Sequence, residues 1–181
     1  FHVARVFATV DLLLNGRAAW NVVTSLNDSE AANFGASGHL AHDLRYDRAD
    51  EFMEVVLGHW DTWEDDAIVF DREQGLFADP KKIHRLDHQG KFFKSRGPFT
   101  VPRSAQGRPV TIQAGQSGRG KAFASRWGEL IFVIYPNLDI ARKQYPDLKR
   151  TLADDVAIAP AVYPVVAETQ AEAEDKFAAI D

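Results

Sequence analysis

Val110-Thr111-Ile112-Gln113-Ala114-Gly115-Gln116-Ser117-Gly118-Arg119-Gly120-Lys121-Ala122 changes character twice within thirteen residues. Val110 to Ala114 is apolar and β-branched, the pattern of a buried strand. Gly115 to Gly118 is a glycine-rich turn, and Arg119 to Trp127 continues as a helix. A strand that turns straight into a helix is half of a βαβ unit, the building block of parallel sheets. The turn also has chemistry. Glycine lets the backbone approach a ligand, and a helix N-terminus presents unpaired N–H groups at the positive end of the helix dipole. Ser117 has a hydroxyl to donate, and Arg119 and Lys121 have charge to supply. Two readings stand side by side at this point: a cradle for a phosphate, or a tight turn in which Ser117 only caps the helix. A third is weaker. Gly115 to Lys121 fits the opening of a nucleotide-binding P-loop, but Ala122 occupies the place of the Mg²⁺-binding Ser or Thr. The next strand ends in Tyr135-Pro136 and offers no acidic metal ligand there.

The same alternation extends in both directions. Val3, Val6, Phe7, Val10 and Leu14 recur at helical spacing before an Asn15-Gly16 stop. Ala18 to Ser25 is apolar on both faces and ends in hydroxyls, as a buried parallel strand running into a site would. A Gly-, Ala-, Ser- and Asn-rich loop follows from Leu26 to about His42. A helix is predicted from about Arg48 to Trp63, with Asp47 as N-cap and Phe52, Val56, Trp60 and Trp63 on its buried face. Glu64 to Arg108 breaks the pattern with Gly75, Asp79-Pro80, Gly90, Gly97-Pro98 and Pro102, and reads as an insertion carrying one or two hairpins. After the central unit come a strand at Leu130–Ile134, a helix at Leu138–Ala153, an extended stretch at Val156–Val166 and a helix at Ala171–Ile180. The prediction is a single α/β domain over residues 1–181 with residues 64–108 inserted in it. About four strand-helix units are visible, half of a β/α barrel.

Composition narrows the function. A net charge of −5 gives no basic field for nucleic acid. The absence of Cys removes disulfides, thiolate nucleophiles and thiolate metal sites. Nothing approaches the ~18 consecutive apolar residues of a membrane span. The start Phe1-His2-Val3 lacks Met and reads as a helix already under way, which points to an excerpt of a longer chain. Tyr46, just before the predicted helix, is placed to aim a phenol at a ligand. His42 is either a proton-transfer group or a loop residue. His39 and His42, and His84 and His88, are pairs without a fixed third metal ligand, and Glu64-Asp65-Asp66 reads as a solvated acidic turn.

A set of strings resembles one family in order and spacing. They are Gly16 to Ser25, Ala32-Asn33-Phe34-Gly35, His42-Asp43 through Phe52, Trp60 to Ala67, Phe77-Ala78-Asp79-Pro80, Val101-Pro102-Arg103-Ser104 and Gln113 to Ser117. Together they resemble the bacterial-luciferase-like flavin monooxygenases, in the branch of the nitrilotriacetate, dibenzothiophene-sulfone and dimethyl-sulfide monooxygenases. The resemblance runs from about Arg5 to Val133.

It implies a (β/α)8 TIM barrel of the luciferase-like type, of which this chain is about half. It implies reduced FMN (FMNH2) supplied by a separate NAD(P)H:flavin reductase. A flavin C4a-peroxide formed with O2 would then oxygenate a small organic substrate. On the positions that match, Asn21, Thr24 and Ser25 would lie beside the flavin ring and ribityl chain, Tyr46 would hydrogen-bond the phosphate, and Ser117 and Gly118 would cradle it. His42 would stand at the edge as the catalytic candidate. The resemblance further implies a cytoplasmic homo-oligomer. The isolated half-barrel would be inactive. The alternatives are a P-loop-like nucleotide-binding module and a non-catalytic, oligomerising half-barrel.

Overall fold

The computed structural model describes residues 1–25 and 27–180. Leu26, where the predicted loop begins, lies outside them. Helix α1 (His2–Leu13) leads into strand β1 (Ala19–Val22), the short helix α2 (Asp28–Ala32) and the long helix α3 (His42–Trp60). Two antiparallel ribbons follow: β2 (Ile68–Asp71) with β3 (Leu76–Ala78), and β4 (His88–Gln89) with β5 (Lys94–Ser95). Then come β6 (Val110–Gln113), α4 (Gly118–Trp127), β7 (Leu130–Val133), α5 (Leu138–Thr151), β8 (Ala157–Pro160) and α6 (Gln170–Ala178).

One parallel sheet of order β1-β6-β7-β8 organises these elements. Val22 pairs with Gln113, Gln113 with Ile131, and Ile131 with Ile158. Side chains alternate across a strand, so these residues share one face, the face the helices cover. Val22 packs with Tyr46, Met53 and Phe123 from α3 and α4. Ile131 and Val133 pack with Ala124 of α4 and Leu148 of α5. Burying a side chain the size of Phe123 or Ile131 stabilises the fold by about 1.5–3 kcal/mol each. On the other face Asn21 is exposed, as are Val23, Phe132 and Ile134. The prediction that the Ala18–Ser25 stretch is covered on both faces is therefore corrected: only the helix-facing side is covered by described residues.

Other boundaries move too. Helix α3 starts at His42, six positions before the predicted Arg48, with Ala41 at its N-cap. Asp47 is inside the helix and caps nothing. Trp63 lies past the helix end, where its indole N–H donates to the Phe99 carbonyl at 2.8 Å. The loop before α3 contains α2. Pro146 is accommodated within α5, which Asn137 caps through the Ile140 N–H at 2.9 Å.

Buried carboxylates tie the segment between α3 and β6 to the helices. Glu51 accepts the N–H groups of Phe92 (2.9 Å) and Phe93 (2.7 Å), and its partner at 3.2 Å is the His88 ring. Burial disfavours the charged carboxylate, but those donors more than offset it and hold Glu51 below the usual carboxylate range. Asp11, fully buried on α1, accepts from the Ala18 N–H (2.9 Å), the Gln106 amide (2.6 Å) and the Ser104 hydroxyl. This cluster precedes β1 and β6, at the sheet edge opposite the glycine-rich turn.

Candidate functional site

The turn after β6 forms as its sequence suggests. Ser117 is the N-cap of α4, its Oγ accepting the Gly120 N–H at 3.0 Å, and the Lys121 N–H reaches the Ser117 carbonyl at 2.8 Å. Among the described residues the N–H groups of Gly118 and Arg119 have no partner. A hydroxyl that accepts one bond keeps its own O–H to donate. Ser117 thus caps the helix and still offers a donor, so the two sequence readings are compatible. The space over Gly118 is open: a Cβ there would meet nothing within 4 Å. The Gly115 N–H turns inward to the side-chain oxygen of Gln113, which is almost completely buried.

Tyr46 comes to this turn from α3. It lies one helical turn inside α3, not before it as predicted. Its ring is 95% buried against Val22, Met53 and Phe123, with the Phe123 ring at 5.7 Å. Its hydroxyl is at the turn, since a Cβ on Gly115 would lie only 2.8 Å from Oη. That hydroxyl has no hydrogen-bond partner among the described residues. His42 lies one turn earlier, its ring tilted by 58° against that of Tyr46 at 5.0 Å and its Nδ1 2.9 Å from an Asp43 oxygen, and it is half exposed.

The register of β1 on β6 brings Thr24 and Ser25 to the same edge. Val22 lies beside Gln113, so Thr24 and Ser25 leave β1 where Gly115 and Gln116 leave β6. Ser25 has φ +64°, a left-handed conformation that costs a non-glycine residue about 1–2 kcal/mol and clusters at functional sites. Asn21 is on the open face of the sheet, away from α3 and α4. Tyr46, Ser117 and Gly118 are therefore gathered at one turn, Thr24 and Ser25 emerge alongside, His42 flanks Tyr46, and Asn21 stands apart on the bare face.

Arg119 behaves differently from its sequence reading. Its guanidinium is 2.8 Å from an Asp47 oxygen and 3.2 Å from an Asp50 oxygen, and lies over the Tyr46 ring at 5.7 Å. Its charge is committed to α3 instead of being offered to the turn. Gln113 was not singled out from sequence, although a polar residue inside an apolar strand, two before the first glycine, was the available signal. His84 pairs with Glu64 at 2.7 Å and His88 with Glu51, and among the described residues no cluster of three or more such side chains is arranged to hold a metal. Glu64, Asp65 and Asp66 each pair with a cation or ring: His84, Arg103 and Lys82.

Comparison with known proteins places this geometry in context. A family model described as luciferase-like monooxygenase matches residues 1–181. The chain is 51% identical, over 98% of its length, to the dibenzothiophene-sulfone monooxygenase of Rhodococcus erythropolis, and spans 40% of that relative. A solved long-chain alkane monooxygenase superposes with a TM-score of 0.88 at 37% identity, covering 97% of this chain and 42% of its own. A riboflavin lyase solved with modified FMN and riboflavin also reaches 0.88 at 40% identity, covering 98% and 41%. The likeness continues well past Val133, where the sequence resemblance had stopped.

Proposed function

Because the chain belongs to the luciferase-like monooxygenase family, we propose that it forms one side of a reduced-FMN site in an enzyme that oxygenates a small organic substrate with O2. Its four parallel strands and their helices are part of a luciferase-like β/α barrel. In that architecture ligands meet the C-terminal ends of the strands, and the glycine-rich turn is at that edge. One observation carries the proposal. The hydroxyl of Tyr46, a residue only 5% exposed, has no partner among the described residues and converges on the turn that also presents the Ser117 hydroxyl and the Gly118 N–H, likewise without a partner among them.

These groups fit a flavin phosphate. All are donors, as a phosphate requires, and the dipole of the ten-residue helix α4 adds its positive end. Gly115 and Gly120 leave no room for a side chain, and Gly118 leaves space above it. Tyr46, Ser117 and Gly118 would hold the phosphate, and Thr24 and Ser25 the ribityl chain. Asn21 would face the ring from the bare side of the sheet, and His42 would stand at the margin. Reduced flavin, when bound, supplies the electrons for O2 chemistry. The role of this chain is to bind and orient it, with the Val22–Met53–Phe123 cluster backing the phosphate end with apolar side chains. A separate NAD(P)H-dependent reductase would deliver the reduced flavin to a homo-oligomer.

The test is flavin binding to the intact protein, followed by fluorescence quenching, with riboflavin as the phosphate-free control. Tyr46→Phe and Ser117→Ala should each weaken FMN by about 1.5–3 kcal/mol, the scale of a hydrogen bond to a charged group, and leave riboflavin unaffected. O2 uptake should require added reductase. Unchanged FMN affinity in both variants would sink the phosphate assignment.

A further inference from the structure

Arg119 occupies the second position of a helix whose first N–H groups have no partner among the described residues, where a guanidinium next to an anion is commonplace. Its side chain instead crosses to α3. Asp47, Asp50 and Glu54 follow one another at helical spacing on one face of α3, and Arg119, Arg126 and Trp127 of α4 face them. Arg119 bridges Asp47 (2.8 Å) and Asp50 (3.2 Å), the Trp127 indole N–H donates to Asp50 at 2.6 Å, and Arg126 reaches Glu54 at 2.8 Å. Tyr46 sits directly before Asp47 in α3, with Arg119 over its ring.

We infer that Arg119 is a positioning residue: it pins the start of α4 to α3 through Asp47 and Asp50, and so holds the Tyr46 hydroxyl over the Gly115 turn without touching the phosphate itself. The inference rests on the reading of that turn as a flavin phosphate site. The contacts support it. One guanidinium nitrogen, Nη2, reaches both Asp47 Oδ1 and Asp50 Oδ2, which directs the end of the side chain to α3, and the guanidinium lies over the Tyr46 ring at 5.7 Å.

The two roles for Arg119 predict opposite signs. If Asp47 merely restrains a phosphate ligand, Asp47→Asn frees Arg119 and tightens FMN. If Arg119 is a clamp, the same change loosens it and weakens FMN, by about threefold to tenfold on the scale of a partly exposed charged hydrogen bond. A double-mutant cycle gives the second measurement. Acting through Tyr46, Arg119→Gln should weaken FMN about tenfold in the parent and add little in a Tyr46→Phe background. A direct contact would give the same added loss in both backgrounds. Riboflavin affinity should hold in every variant, whereas general damage to the fold would lower it as well. Tighter FMN binding by Asp47→Asn, additive losses in the cycle, or parallel loss of riboflavin would each overturn the inference. Normal FMN binding by both Tyr46→Phe and Ser117→Ala would overturn the underlying site, while normal binding by Arg119→Gln alone would remove only the clamp.

Discussion

Gly120→Ala and Gly118→Ala lie two residues apart at the start of α4 and should act in opposite directions on stability. In a helix, alanine is favoured over glycine by about 0.8–1.0 kcal/mol. At Gly120 that gain meets an obstacle. A Cβ there would lie 2.8 Å from the Gly115 carbonyl carbon, 2.9 Å from its Cα and 3.0 Å from its oxygen. All three are backbone atoms, so no flexible side-chain end can swing aside, and α4 must move off the turn. Overpacking of this kind costs about 1–3 kcal/mol, and with two contacts below 3.0 Å the upper half of that range applies. The net change is a destabilisation of about 1–2 kcal/mol, a fall in Tm of roughly 2–8 °C for a chain of this size. At Gly118 nothing lies within 4 Å and φ is ordinary, so the propensity gain stands and stability should hold or rise. The new methyl would nonetheless project into the open space over the turn and impede a bound phosphate. Thermal unfolding and FMN titration of both variants check this. Equal destabilisation by the two substitutions, or stabilisation by Gly120→Ala, would refute the packing of α4 on the turn. Unchanged FMN affinity in Gly118→Ala would refute the use of the space above it.

Two further outcomes follow from the same contacts. Ser117→Asp keeps an acceptor for the Gly120 N–H and a favourable charge at a helix start, so unfolding should be little changed while FMN binding is abolished by charge repulsion. Retained FMN binding would show that Ser117 only caps the helix. The Glu51 carboxylate lies below its ordinary pKa in the folded chain, so its contribution is complete above the unfolded value. That contribution is lost only as pH falls through the lowered folded value. Hydrogen exchange at the Phe92 and Phe93 amides should therefore stay protected through mild acid and accelerate below the ordinary carboxylate range. Glu51→Gln should accelerate it already at neutral pH, and protection unaffected by that substitution would disprove the tie.

The skeleton was readable because its apolar residues repeat at the periods of strands and helices. Val110 to Gln113 and Leu130 to Val133 are short and apolar, and the helices after them have clear starts at Ser117 and Asn137. The start of α3 was missed for a physical reason. His42 to Arg45 is a polar turn with little buried side chain, and Ala41 makes no side-chain cap, whereas Asp47 looked like a cap and is in fact an ion-pair partner. Ser117 and Gly118 were visible as a local motif. The approach of Tyr46 to Gly115 was not, because it depends on α3 packing against α4. Only the family resemblance suggested it. The destination of Arg119 and the ties of Glu51 and Asp11 join residues far apart in the chain, and no local pattern announces them.

Strands β1 and β6 are hydrogen-bonded neighbours, yet α2, α3 and both ribbons lie between them in the chain. The entropy of closing such a loop grows only with the logarithm of its length, about 0.6 kcal/mol for each doubling. Lengthening the ribbons therefore costs the β1–β6 pairing almost nothing, provided that Glu51 and Asp11 keep their donors in the strands' flanks. Variation is thus inexpensive in the span of that segment and costly at its two fastenings. A lineage or a designer can reshape the ribbons, or graft longer ones, while the turn at Gly115 to Gly118 keeps its place at the end of the sheet.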